Sequence, residues 1–226
     1  RVVDSSPMYG NAEAVLGEVL AKITNKQQLF AATKVWTDGH SEGIAQMQTS
    51  AELMRVPRFD LMQIHNLRDW RTQLATLRDW KEAGKIRYLG ITTSHQRAHD
   101  ELTQIMATEP LDFVQFSYSI DNRLAEQRLL PLAADRGIAT LINRPFERGA
   151  LFKNVSATPL PQLARDLHCN SWGQFFLKFI IGHRAVTCVI PATARLGHME
   201  DNMAANFGAV PDPMQRQEML KIYQAL

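Results

Sequence analysis

The chain has 226 residues, 45% of them hydrophobic and 21% charged, with a formal net charge of +2. That length suits one large buried core. A near-balanced charge without a basic run or a basic–aromatic stripe argues against nucleic acid or a membrane surface as a partner, and two cysteines, Cys169 and Cys188, make neither a disulfide framework nor a metal site.

Short β-branched and apolar runs alternate with amphipathic stretches from one end to the other. The first run, VVD (2–4), leads through SSPMYG into a helical pattern over 11–23. LFAATKV (29–35) precedes a helix at roughly 41–54, and LMQIHN (61–66) precedes one at 70–83, where Leu74, Leu77 and Trp80 share a face and Gly84 stops the pattern. RYLGITT (87–93), FVQFSYS (113–119) and ATLINRP (139–145) follow, with helical patterns at 97–107 and 123–135 between them. The longest apolar stretch, FFLKFIIGHRAVTCVI, is broken by Lys178, His183 and Arg184. It reads as a buried helix (171–182) followed by the strand VTCVIPAT (186–193), not as a membrane span. A final helix covers 211–225.

Strand–helix alternation with nearly solid apolar strands predicts a parallel sheet covered by helices. No GxGxxG follows a strand, which weakens a doubly wound dinucleotide fold. The polar residues favour a (β/α)8 TIM barrel instead. Asp4, Lys34, His65, Thr92–Thr93, Gln115, Arg144 and Thr193 all lie at the C-terminal ends of successive runs, where a barrel assembles its active site from several strands. The whole chain, 1–226, is expected to form one such domain.

Asp4, Tyr9, Lys34 and His65 form a chemically coherent set. A phenol is a weak acid, and a lysine ammonium beside it stabilises the phenolate. A carboxylate on that lysine keeps it charged and aimed, and a histidine orients a carbonyl and shares in proton movement. Together they would make a general acid suited to protonating a carbonyl oxygen as hydride reaches its carbon. Taken singly, each has a plain structural role: a loop cap, an aromatic packing on the next helix, a strand-end lysine reaching outward, a satisfied core histidine. Trp36 and Trp70 follow two of the site-bearing strands and either line an apolar pocket or pack loops onto the barrel.

Asp4 with the SSPMYG after it and the helix that follows, ATKVW and DLMQIHN together resemble the aldo-keto reductases, whose pattern is Asp and Tyr after the second barrel strand, Lys after the third and His after the fourth. GKIRYLGITT, FVQFSYS, and VIPAT followed by EDN (200–202) continue the resemblance to about residue 205. It implies NADPH-dependent reduction of an aldehyde or ketone, with Tyr9 as general acid, Lys34 and Asp4 tuning it, and His65 orienting the carbonyl. It also implies that Thr92, Thr93 and Gln115 bind the nicotinamide amide, and that residues 143–149, including Asn143, Arg144 and Arg148, pass beside the nicotinamide and pyrophosphate. Thr193, Arg195, His198, Asp201 and Asn202 would surround the adenosine end, a cation there favouring a 2′-phosphate.

The chain departs from the family pattern at three places. Thr92-Thr93 replaces Ser-Asn, Asn143 stands where many members stack an aromatic, and Ala192 replaces a lysine or glycine. A second function on the same scaffold, a nucleotide-binding regulatory or redox-sensing subunit with little turnover, has no need of the phenol set. A barrel hydrolase lacks support, because no His/Asp/Glu cluster in the sequence has metal spacing and no paired strand-end carboxylates occur.

Seven runs are read where the barrel has eight strands, and VVD matches the end of the second. The expectation is an upstream segment of roughly 40–60 residues holding the first strand, the first helix and the start of the second strand, either left out of this sequence or missing from a truncated product. The protein is expected to be a cytoplasmic monomer, to bind a small carbonyl substrate, and to hold no metal.

Overall fold

All seven runs form strands, and each contains residues whose branched or apolar side chains suit a sheet buried on both faces. A computed structural model of the protein describes residues 2–24 and 29–226. Among these, the strands are β1 (Val2–Asp4), β2 (Phe30–Val35), β3 (Phe59–Ile64), β4 (Ile86–Thr92), β5 (Phe113–Ser117), β6 (Ala139–Asn143) and β7 (Cys188–Val189). The helices are α1 (Ala12–Lys22), α2 (His40–Met54), α3 (Trp70–Glu82), α4 (His99–Thr108), α5 (Leu129–Arg136), α6 (Leu151–Asn154), α7 (Gln162–Asp166), α8 (Trp172–Ile181), α9 (Leu196–Ala204) and α10 (Pro213–Gln224). The chain divides into two compact units, Arg1–Thr93 with Ala98–Gln115, and Ser94–Arg97 with Phe116–Leu226.

In the first unit β1 to β4 and residues 113–115 of β5 pair in parallel, each with the next in the chain. Register sets Lys34 beside Gln63, Gln63 beside Gly90, and Thr92 beside Gln115. With side chains alternating along a strand, these residues share one face. Gly90 is required in that row: a Cβ there would lie 2.8 Å from the Phe113 carbonyl oxygen and 3.3 Å from Gln63 Cγ.

The outer layer of this unit packs as closely. A Cβ on Gly17 of α1 would lie 2.0 Å from the Leu53 carbonyl oxygen of α2, so the two helices touch through backbone. Beside that contact the buried Glu13 carboxylate accepts hydroxyl bonds from Thr33 of β2 (2.5 Å) and Ser50 of α2 (3.1 Å). On α3, Leu74 and Leu77 are buried as the periodicity predicts, each contributing about 1.5–3 kcal/mol. Trp80 is only half-buried, its ring lying 5.3 Å from the Lys85 ammonium.

The second unit departs further from the sequence pattern. β7 has two residues, not the eight of VTCVIPAT. Before Cys188, side-chain bonds replace the ladder: Thr140 N–H donates to Thr187 Oγ1, Thr187 N–H to Thr140 Oγ1, and Thr140 Oγ1 to the Ala185 carbonyl. After Ile190, Pro191 has no N–H to continue it. The 123–135 pattern splits into a 3₁₀ turn at Leu124–Glu126 and α5. Helices α6 and α7, of four and five residues, are too short to show a helical period. Helix α8 is capped by Ser171, whose hydroxyl accepts the Gln174 N–H, and buries Phe175, Phe176, Phe179 and Ile180. Lys178 lies in the same buried helix, its ammonium donating to the carbonyls of Leu167, Phe207 (2.7 Å) and Ala209 (2.9 Å). An interior charge persists when its hydrogen-bonding capacity is met in this way. Among the described residues, no helix is long and apolar enough to cross a membrane.

Candidate active site

The ends of β1, β2 and β3 bring Asp4, Tyr9, Lys34 and His65 together within the first unit. Lys34 ends fully buried near the tip of β2, where an ammonium needs compensation. It donates to Asp4 Oδ2 at 2.5 Å and to the Ser5 carbonyl at 2.7 Å. Asp4 is held in turn by Gln63 Nε2 on Oδ1 (3.0 Å) and Gln115 Nε2 on Oδ2 (3.4 Å). The carboxylate is therefore fixed by three elements, and it aims the ammonium.

Tyr9 reaches this cluster through a tight turn. Its N–H donates to the Ser6 carbonyl at 2.9 Å, with Pro7 as the first central residue, and Gly10 follows with φ near 61°. Tyr9 is 48% exposed, with the Lys34 ammonium 4.9 Å from its ring centroid. The His65 ring stands edge-on to it at 5.7 Å.

His65 is the first residue of a 3₁₀ turn after β3 and is 6% exposed. Burial, reinforced by the positive charge of Lys34, lowers its pKa from 6.5 to about 4, so the ring is neutral near pH 7. Its Nδ1 lies 2.8 Å from Ser6 Oγ. Asn66, Leu67 and Asp69 directly after it have positive φ, and this strained backbone swings the chain away just past the imidazole.

Ser6 and Gln63 stand outside the set expected from the sequence, although both support the four. For Gln63 the signal was present: in LMQIH it shares strand parity with His65, and it neighbours Lys34 in register. For Ser6 there was none, since a serine before Pro reads as turn material.

The two tryptophans separate. Trp36 lies 6.4 Å from the His65 ring, with the Arg68 guanidinium 5.0 Å from its own centroid. Trp70 instead donates through Nε1 to Glu101 of α4 and carries the Arg71 guanidinium at 4.3 Å. Trp36 thus borders the phenol–imidazole pair, whereas Trp70 ties two helices.

Of the residues expected to meet a nucleotide, Thr92, Thr93 and Gln115 are buried in the first unit. Thr92 Oγ1 accepts the Asn66 N–H, and the Thr93 N–H donates to the Gln115 carbonyl. The others belong to the second unit. Asn143 Oδ1 accepts the Ser117 hydroxyl at 2.6 Å, and Arg144 Nη2 donates to Ser94 Oγ at 3.0 Å. Arg144 and Arg148 both have positive φ in the turn after β6. Thr193 Oγ1 accepts the N–H of Arg195, the exposed cap residue of α9, whose first turn contains no acidic residue and exposes His198. Free N–H groups and two cation-capable side chains suit a phosphate. Asp201 is committed otherwise, accepting from Ser171 Oγ (2.6 Å) and Gln174 Nε2 (2.7 Å) of the α8 cap; Asn202 is buried. Among the described residues, no group of three or more His, Cys, Asp or Glu side chains is placed to hold a metal ion.

Residues 1–222 match the model of the Aldo/keto reductase family. An NADH-specific methylglyoxal reductase of Escherichia coli K12 is 28% identical over 198 residues, covering 73% of this chain and 58% of that protein. A second methylglyoxal reductase of the same organism is 25% identical, covering 90% of this chain and 73% of its own length. The chain thus spans between about half and three quarters of the curated relatives it matches first. Among solved structures, an aldo-keto reductase from Klebsiella pneumoniae in complex with NADP and acetate superposes with a TM-score of 0.78 at 20% identity, over 98% of this chain and 80% of that one. The holo form of an aldo-keto reductase from Bacillus halodurans gives 0.76 at 21%, over 98% and 81%. These likenesses show the fold to be the (β/α)8 barrel, with β1 to β7 as seven of its eight parallel strands.

Proposed function

The chain belongs to the aldo/keto reductase family, and from that membership we infer that it reduces a small aldehyde or ketone to the alcohol with a nicotinamide cofactor, NADPH in preference to NADH. The supporting observation is the arrangement around Tyr9. A buried ammonium, fixed by Asp4, faces one side of the phenol, and a neutral imidazole stands at its edge. Such a pair serves a carbonyl whose oxygen gains charge as its carbon is reduced.

The bound cofactor would supply the hydride. Tyr9 donates its proton to the carbonyl oxygen, and the Lys34 ammonium stabilises the negative charge left on the phenol. Because Lys34 is buried, that interaction is less screened than it would be in water. Neutral His65 holds the carbonyl oxygen by hydrogen bonding without competing as an acid. Trp36, beside His65, supplies an apolar wall for a small substrate. Thr92, Thr93 and Gln115 would hold the nicotinamide amide. Thr193, Arg195 and His198 would hold the adenosine phosphate, and Arg195 carries the preference for NADPH.

Three relatives are named methylglyoxal reductases and a fourth a glyoxal reductase, so small 2-oxoaldehydes head the proposed substrates. The test follows NADPH and NADH oxidation in the intact protein with a panel of 2-oxoaldehydes, aromatic aldehydes and aliphatic aldehydes. Tyr9→Phe lowers turnover by about 10²–10⁴-fold and leaves cofactor affinity near normal. Retention of more than half the rate would remove Tyr9 from the acid role.

A further inference from the structure

The Ser6 hydroxyl lies fully buried between the two residues that face the substrate carbonyl in the proposed reaction. Its Oγ accepts the Met8 N–H at 3.2 Å and sits 2.8 Å from His65 Nδ1. Its own carbonyl accepts the Tyr9 N–H. One residue therefore anchors both the turn that presents the phenol and the ring beside it.

Hydrogen-bond accounting decides which nitrogen of His65 carries the proton. A serine hydroxyl has one proton to give and two lone pairs to receive. Here one lone pair is occupied by the Met8 N–H, and the remaining partner of the hydroxyl is His65 Nδ1. If Nδ1 carried the hydrogen, it would donate to Ser6, and the hydroxyl proton would be buried without an acceptor, an arrangement folded proteins avoid. If Nδ1 is bare, Ser6 donates to it and every group is matched. The ring is neutral, so its single hydrogen then resides on Nε2.

We propose that Ser6 is a positioning residue that locks His65 in the Nε2–H tautomer, so that the imidazole presents a hydrogen-bond donor, not a lone pair, to the carbonyl oxygen that Tyr9 protonates. The catalytic value of this lock rests on the reductase reading; the tautomer assignment does not. A lone pair at Nε2 would repel the carbonyl oxygen, whereas an N–H binds it and binds it more tightly as charge develops.

The experiment uses the intact protein with ¹⁵N-labelled histidine, the His65 ring signals being identified by their loss in His65→Gln. Near pH 7, ¹⁵N NMR is expected to show an unprotonated Nδ1 and a protonated Nε2. Ser6→Ala, which removes one buried oxygen and adds nothing, is expected to move both signals toward a mixture of tautomers. It is also expected to lower kcat by about two- to tenfold, the bias one neutral hydrogen bond provides, with KM for the cofactor unchanged. A protonated Nδ1 in the wild type, or identical ring signals in Ser6→Ala, overturns the lock. A shifted tautomer with unchanged kcat removes Ser6 from the reaction. If the wild-type protein reduces no carbonyl, the reductase reading fails while the ring signals still decide the tautomer.

Discussion

Replacing His65 by glutamine should flatten a specific part of the protein's acid sensitivity. In the folded chain burial and Lys34 hold the imidazole pKa at about 4, against 6.5 when unfolded. Above pH 6.5 the ring is neutral in both states, and stability is at its full value. As pH falls from 6.5 toward 4, the unfolded chain takes up a proton that the folded chain refuses, so the fold loses stability throughout that window. At about 1.4 kcal/mol per pH unit of displacement the loss is about 3 kcal/mol. Water still reaches a small part of the residue, which brings the expected figure to about 2 kcal/mol. His99 and His183 are also shifted downward by burial and add slope of the same sign, so the comparison must be with the variant. Urea unfolding of wild type and His65→Gln at pH 7, 6, 5 and 4.5 provides it. The wild type should lose about 2 kcal/mol more than the variant between the extremes, within an expected total stability of about 5–15 kcal/mol. Parallel curves for the two proteins would show that His65 titrates as a solvent-exposed histidine does, and would refute the electrostatic picture of the site.

Lys34→Met should reduce turnover steeply and destabilise the fold by about 3 kcal/mol, since it leaves the Asp4 carboxylate with only the amides of Gln63 and Gln115; chemical denaturation and steady-state kinetics measure the two effects. Arg195→Ala should weaken NADPH by at least about tenfold while sparing NADH, a charge-assisted bond to the 2′-phosphate contributing about 1.5–3 kcal/mol. Cofactor fluorescence titration reads this, and equal losses for both coenzymes would dissociate Arg195 from that phosphate.

The repeated strands were legible because each is a short, nearly uninterrupted apolar run, and the four central residues stood out because each lies at or just beyond the tip of such a run. What sustains them was harder to see. Gln63 lies within an apolar run and Ser6 in a turn, and the value of each depends on a partner dozens of residues away. The shortness of β7 was hidden for a related reason: Thr140 and Thr187 look like ordinary strand residues until their hydroxyls displace the ladder. Helix α9 escaped notice because its outer side carries Leu196, Met199 and Met203 exposed, which blurs the contrast between faces that marks an amphipathic helix. Trp36 and Trp70 were equivalent on paper. Only the neighbours of each, His65 for one and Glu101 for the other, tell them apart.

The Glu13 carboxylate makes three distant positions into a single unit of substitution. With Thr33 and Ser50 both donating to it, loss of either hydroxyl makes the carboxylate depend more on the other, so the two losses together will not equal their sum. Exchanging all three for apolar residues of matching size removes the buried charge along with its donors, and is far milder than removing one donor at a time. Positions 13, 33 and 50 therefore tolerate change jointly. A library that varies them one by one will score each as intolerant and miss the permitted triple.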